Sequence, residues 1–240
     1  MVNSSTGALI VHGFTSTTAS VEPVAEAVRA AGFDAEVPLL PGHGTHWRDL
    51  AATEAGTILS AVDEAYHRLA ERCATVVPVG LSMGGALALH IAAEHQLRGA
   101  AVINPALRLR RGTATAARLL APIKPTLPAI AGDIAKPGVA EEAYPVTPVR
   151  AVVALDHILT TARASLPRLA ADGTPVLLLR SPRDNVLGSA SAQVLKKALS
   201  PEQLTEVILR RSQHVATLDE DAELLTRRIT RFLAERSHSA

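Results

Sequence analysis

Short apolar runs alternate with helix-forming stretches along this chain, and no other feature restricts its fold as strongly. Ala8-Leu9-Ile10-Val11, Phe33 to Val37, Thr75 to Val79, Gly99 to Ile103, Val176 to Leu179 and Thr205 to Leu209 read as strands. Ala8–Val11 and Val176–Leu179 are continuously apolar, which suits strands buried on both faces, and the alternation as a whole suits a parallel sheet covered by helices. The stretches between them have helical spacing: Ile58, Val62, Tyr66 and Leu69 recur at intervals of four, four and three. Ser20 is placed to cap a first helix running to about Ala31, and Gly32 to end it in the left-handed conformation. Further helices are expected over about Met83–His95, Val149–Ala170, Ser189–Leu199 and Asp219–Glu235. The expectation is an α/β fold with a mostly parallel sheet of about six strands flanked by helices.

The rhythm breaks once. Asn104 to Pro148 holds seven prolines and no strand-like run. A segment this long inside a compact domain is usually functional or an inserted subdomain. The expected organisation is a core of residues 1–103 and 149–240, with residues 104–148 inserted after the fourth strand as a cap. From Pro105 to Gly132 the insertion has no acidic residue but carries Arg108, Arg110, Arg111, Arg118 and Lys124. That bias suits either a solvated face or a basic, partly apolar lid touching an anionic lipid interface. Leu107, Leu109, Leu119, Leu120, Ile123, Leu127 and Ile130 are candidates to line an aliphatic pocket.

Composition removes several classes. The 24 basic and 23 acidic residues nearly balance, and aromatic residues make up 2% of the chain, so no nucleic-acid partner is expected. Cys73 stands alone and cannot form an internal disulfide. No apolar run reaches the roughly 18–20 residues that span a bilayer. No basic-then-apolar leader is visible at the N-terminus, so a cytoplasmic location is expected, with peripheral contact at a membrane surface through the cap. His43 and His46 lack the accompanying ligands of a metal motif, and neither a metal nor another cofactor is expected. His90, His95 and His157 read as packing or surface residues, and Cys73 as a small buried hydrophobe.

The chemistry sits in Gly80-Leu81-Ser82-Met83-Gly84. A chain of this composition would contain G-x-S-x-G by chance about 0.05 times. Here it follows a strand and opens a helix, where a sharp turn exposes a serine at the C-terminal edge of the sheet. A serine hydroxyl needs a base, and the base needs an orienting acid. Asp184 follows the strand at Val176–Leu179, and His214 follows the last strand, which completes the order Ser, Asp, His. Asp172, before its strand, reads as a turn residue, and Asp219 as the cap of the last helix. Oxyanion donors are expected from the backbone N–H groups of Met83 and of Phe14, in the loop His12-Gly13-Phe14-Thr15.

Together these residues resemble the α/β-hydrolase superfamily, and within it the bacterial monoacylglycerol lipases and related carboxylesterases. The resemblance rests on LIVHGFT (9–15), PGHGTH (41–46), GLSMGG (80–85), EEAYPVTP (141–148) and HVATLD (214–219). It implies an α/β-hydrolase fold with Ser82 as nucleophile, Asp184 as acid, His214 as base, and Phe14 and Met83 at the oxyanion. It also implies a cap closing a narrow acyl tunnel, with Glu141 accepting from glycerol hydroxyls and the main chain at Ile130 assisting. The implied substrate is a small lipid ester, a monoacylglycerol of medium to long chain. A general short-chain carboxylesterase without glycerol recognition is the alternative, and a non-catalytic lipid-binding relative a more distant one. Relative to the family, the N-terminus is short and the stretch from Leu107 to Pro128 matches poorly.

Overall fold

In the computed structural model, residues 6–110 and 112–237 are described. Strand β1 (Thr6–Val11) leads through a single 3-10 turn (Thr18–Ser20) into α1 (Glu22–Ala30) and β2 (Asp34–Glu36). Helices α2 (Trp47–Ala52) and α3 (Ala55–Ala70) precede β3 (Thr75–Leu81), α4 (Met83–Glu94) and β4 (Ala100–Ile103). After β4 come α5 (Thr113–Leu120), β5 (Thr126–Pro128) and β6 (Val146–Pro148). The chain then runs through α6 (Val149–Ala171), β7 (Val176–Arg180), α7 (Ala190–Ala198), β8 (Leu204–Ile208) and α8 (Ala222–Ser237).

Six strands form one parallel sheet in the order β2-β1-β3-β4-β7-β8, as the alternating pattern requires. The order reverses between β1 and β3, so their C-terminal ends open a crevice of the kind where α/β sheets bind ligands. Alternate residues of each strand serve opposite layers. Leu9, Val11, Val102 and Leu178 pack with residues of α3, α4, α6 and α7, while Ile10, Val79, Ile103 and Leu179 pack with α1 and α8. Helix α4 is buried from Met83 to Ala93 apart from a half-exposed His90, because α3 and α6 cover it on the far side from the sheet. Pro78, which has no N–H to give, stands opposite Leu9 in the β1 ladder, and the β4 ladder starts one residue later at Val79–Ala101.

Several local expectations are corrected. Ser20 does not cap α1. Its hydroxyl donates to the carbonyl of Thr17 (2.9 Å), the Thr17 side chain accepts from Ala19 N, and Val21 occupies the cap position. Strand β2 has three residues rather than five, as an edge strand paired only to β1. Helix α2 was not expected. It is started by a capping box in which His46 accepts from Arg48 N (3.2 Å) and Asp49 accepts from His46 N (3.2 Å). The proline-rich insertion does contain strands: β5 and β6 pair antiparallel, Thr126 opposite Pro148. Gly32 does close α1 with φ +85°. Among the described residues no helix is long and apolar enough to cross a membrane.

The tightest backbone contacts lie where β1, β3 and α4 meet. A Cβ on Gly80 would fall on the carbonyl of Gly84, and one on Gly84 would fall on the carbonyls of Val11 and His12. Gly84→Ala should therefore cost about 3 kcal/mol or more. Gly56→Ala in α3, where an added Cβ meets nothing within 4 Å, should be neutral or slightly stabilising. Urea unfolding of both variants checks the contrast, and equal stabilities would contradict it.

Candidate active site

Ser82 sits at the turn from β3 into α4 with φ 56° and ψ −116°, a strained conformation for a residue with a side chain. It holds because its backbone is tied on both sides: Ser82 N donates to Ile103 O (3.0 Å), and Ser82 O accepts from Gly85 N (3.0 Å) and Ala106 N (2.9 Å). Ser82 occupies the N-cap position of α4, yet its hydroxyl does not cap the helix. The Oγ is directed instead to His214 Nε2, 3.0 Å away. Nδ1 of the same imidazole lies 2.8 Å from Asp184 Oδ2. An ionised carboxylate only accepts, so Nδ1 carries the proton and Nε2 is left to accept from the serine hydroxyl.

Asp184 and His214 are both buried. Burial alone would raise the Asp184 carboxyl. The His214 imidazole and the N–H groups of Leu187 and Val186, each 2.8 Å from Oδ1, outweigh it and hold the carboxyl below its ordinary value. Sequence reasoning placed these three side chains at one edge of the sheet, and the structure brings all three together.

A cavity of about 200 Å³ opens onto Ser82 and His214. Phe14, Met83, Glu141 and Ile130, the other expected site residues, all line it. The loop holding Phe14 is set by His12. Its Nδ1–H donates to Gly13 O (2.9 Å), and its Nε2 accepts from Leu40 N (3.1 Å). One oxygen of Glu141 accepts from Gly132 N (2.9 Å). Two of the expected pocket leucines and isoleucines do reach the cavity, Leu109 and Ile130. The others do not. Leu107 is buried in the core, Leu120 and Leu127 pack against α6, and Leu119 and Ile123 point to solvent at 74% and 79% exposure. The reason is that α5 lies on α6 with Ala117 inward, which turns Leu119 away.

Two sequence segments far apart meet beside this cavity. The Tyr144 hydroxyl, from EEAYPVTP, donates to Gly42 O (2.6 Å) and accepts from Thr45 N (3.2 Å), both in PGHGTH. Tyr144 N donates to Thr15 O (3.0 Å), which docks the insertion on the Phe14 loop.

Sequence reasoning missed three polar residues around the site. Asn104, buried with φ 39°, accepts from Ser181 N (2.8 Å) and donates to His214 O (2.8 Å), which links the ends of β4 and β7 to the His214 loop. Its place directly after an apolar strand was the available signal. Asp219 does not cap α8, which starts at Ala222. It accepts from Gln213 N (2.7 Å), Ala135 N (2.9 Å), Lys136 N (2.9 Å) and Glu220 N (2.8 Å). Asp133, the first acid after the acid-free stretch, accepts from Asn185 N (2.9 Å), Asn185 Nδ2 (2.7 Å) and His214 N (3.1 Å).

The remaining histidines have other surroundings. His90 faces Ser165 Oγ at 3.0 Å, and His157 is exposed on α6. His95, at the opposite end of α4 from Ser82, contacts Asp63 (2.6 Å) and stacks on Tyr66, and His67 joins the same carboxylate at 3.5 Å. His43 packs edge-on against His12 with ring centroids 5.0 Å apart, under the loop that holds Phe14.

The family model described as the alpha/beta hydrolase family matches residues 8–227. The chain is 36% identical over 236 residues to a thermostable monoacylglycerol lipase of Bacillus sp. (strain H-257), covering 97% of this chain and 92% of that one. It is 21% identical over 232 residues to a carboxylesterase of Bacillus subtilis (strain 168), covering 94% and 91%. Among solved structures, a chain described with LipS and LipT, two metagenome-derived lipolytic enzymes, superposes with a TM-score of 0.91 at 35% identity, covering 98% of this chain and 95% of that one.

The buried imidazoles give the site a pH signature. Burial, together with the neighbouring His43, lowers His12 from 6.5 to about 3, and burial lowers His43 to about 4. Below its ordinary value the unfolded chain binds protons that these two groups refuse. Stability is therefore complete above about pH 6.5 and is lost as pH falls, by about 2 kcal/mol for each histidine at about pH 5. Urea unfolding at neutral pH and near pH 5 measures this, and an unchanged midpoint would remove the neutral assignment.

Proposed function

The chain belongs to the alpha/beta hydrolase family and is a lipolytic ester hydrolase, and from that premise we propose that it splits monoacylglycerols into fatty acid and glycerol through a serine acyl-enzyme. The observation that carries the proposal is one imidazole set between the Ser82 hydroxyl and the Asp184 carboxylate, at a cavity that Glu141 also lines.

In this reading His214 Nε2 takes the Ser82 proton as Oγ attacks the ester carbonyl. Asp184 holds the imidazole in the tautomer this needs and stabilises the imidazolium that forms. The N–H groups of Phe14 and Met83 receive the oxyanion, and the N-terminal end of α4 adds its positive dipole at the same place. Glycerol leaves with the proton from His214. Water then gives a proton to Nε2 and attacks the acyl-enzyme, and collapse of that intermediate restores Ser82 and releases the fatty acid. No metal or cofactor enters any step.

The acyl chain has an aliphatic lining available in Leu109, Leu155, Leu187 and Val215. Glu141 spends one bond on Gly132, and a carboxylate has further acceptor sites for glycerol hydroxyls. Residues 104–148 act as the cap over this cavity. Outward from it, exposed Leu119, Ile123 and Lys124 form an apolar and basic surface suited to transient contact with an anionic lipid interface. A general carboxylesterase is the second reading. It is favoured by the fact that Glu141 already has a partner within the insertion.

Ser82→Ala should lower turnover of both 1-monoacylglycerol and a nitrophenyl ester by about 10⁴-fold or more, with the fold unchanged by circular dichroism. Retained turnover would dismiss the serine mechanism. Glu141→Ala separates the two substrate readings. Monoacylglycerol hydrolysis should fall about tenfold more than nitrophenyl ester hydrolysis, whereas equal losses favour the carboxylesterase. Leu119→Ser with Ile123→Ser should weaken sedimentation with anionic vesicles and leave hydrolysis of a soluble ester intact. Undiminished vesicle binding would exclude this face.

A further inference from the structure

The insertion does not rest on the core as a uniform flap. Its short segment from Asp133 to Lys136 is bonded into the two loops that carry Asp184 and His214. The Asp133 carboxylate accepts from Asn185 N and Nδ2, next to Asp184, and from the backbone N–H of His214 itself. The Asp133 carbonyl accepts from Val215 N (3.1 Å). Asp219 returns the contact from the other side, bonding Ala135 N and Lys136 N together with Gln213 N. Between them, Ile134 packs into the core layer that contains Val215.

We propose that Asp133 is a positioning residue, a clasp from the insertion that holds the acid loop and the base loop in register. The inference rests on the serine-hydrolase reading above. The physical case is chemical economy. Asp184 and His214 come from separate loops, 30 residues apart, and their 2.8 Å bond survives only if both backbones keep their places. Asp133 is one group bonded to both backbones. Its carboxylate lies 3.1 Å from the backbone N–H of His214, on the same loop as the imidazole. The other charged side chains lining the cavity are Arg108, Arg110 and Glu141.

The test compares wild type, Asp133→Asn and Asn185→Ala on a soluble nitrophenyl ester, with fluorophosphonate labelling of Ser82 and thermal midpoints in parallel. Asp133→Asn keeps the shape but removes the charge and full acceptor capacity. Its kcat should fall about 10- to 100-fold with KM changed less than about twofold. The acid limb of kcat/KM should move to lower pH, because a carboxylate on the backbone of the His214 loop has been replaced by a neutral amide. Asn185→Ala removes the side-chain donor but neither the backbone N–H nor the charge, and should lower kcat less while leaving that limb in place. Wild-type kcat with an unmoved acid limb in Asp133→Asn overturns the assignment. So does a kcat loss that merely follows a lowered midpoint with no movement of the limb. If wild type itself fails to label, the serine reading falls and takes this inference with it. A labelled wild type beside an equally reactive Asp133→Asn rejects the clasp alone.

Discussion

The rim of the sheet depends on one close approach, the first turn of α4 lying directly against the backbone at the end of β1. Gly84 has no side chain between itself and the Val11 carbonyl, and Gly80 has none between itself and Gly84. That contact sets α4 at the depth where the turn before it is sharp, and the sharp turn puts Ser82 at φ 56°. A relaxed turn would give the serine its ordinary role as a helix cap. The strained one withholds Oγ from the helix and presents it to His214, so a packing requirement becomes a chemical one.

Around that point the polar groups are organised as a network of backbone ties. Strand ends leave carbonyls and N–H groups without ladder partners, and buried ones must find others. Asn104, Asp133, Asp219 and Tyr144 supply them. Each reaches between segments that are distant in the chain, Asn104 to His214 across 110 residues and Asp133 to His214 across 81. The same bonds that satisfy the backbone also tie the segments around Ser82, Asp184 and His214 to one another. His12, bonded to Gly13 O and Leu40 N, and His43, bonded to Pro41 O, lie near the Phe14 loop as neutral rings, at the expense of stability in acid.

The insertion shows how polar ties and apolar packing divide the work. Its helix α5 and strands β5 and β6 lie near α6, with Ala117 and Leu127 inward. Its later segment is held by hydrogen bonds to the Phe14 loop at Tyr144 and to the last loop at Asp133. Leu119 and Ile123 are left facing out, which is why the leucine count of the segment overstated its contribution to the cavity.

Periodicity and turn chemistry were readable from the residues alone. Six short strand-like runs separated by helical spacing specify a parallel sheet, and G-x-S-x-G after β3, with Asp184 after β7 and His214 after β8, specifies that these three residues share one edge, because the ends of parallel strands lie together. These are local signals, carried by neighbours in the chain. Ser20 and Asp219 were misread by the same local logic: each has the right residue type for a cap, but the Ser20 hydroxyl turns back to Thr17 O within a 3-10 turn, and Asp219 is claimed by the distant N–H groups of Ala135 and Lys136. The register of the Asp184 and His214 loops, the facing of α5 and the docking of Tyr144 were decided only in the folded chain. They depend on which distant donor meets which acceptor once the core has closed, and no spacing along the polymer encodes that.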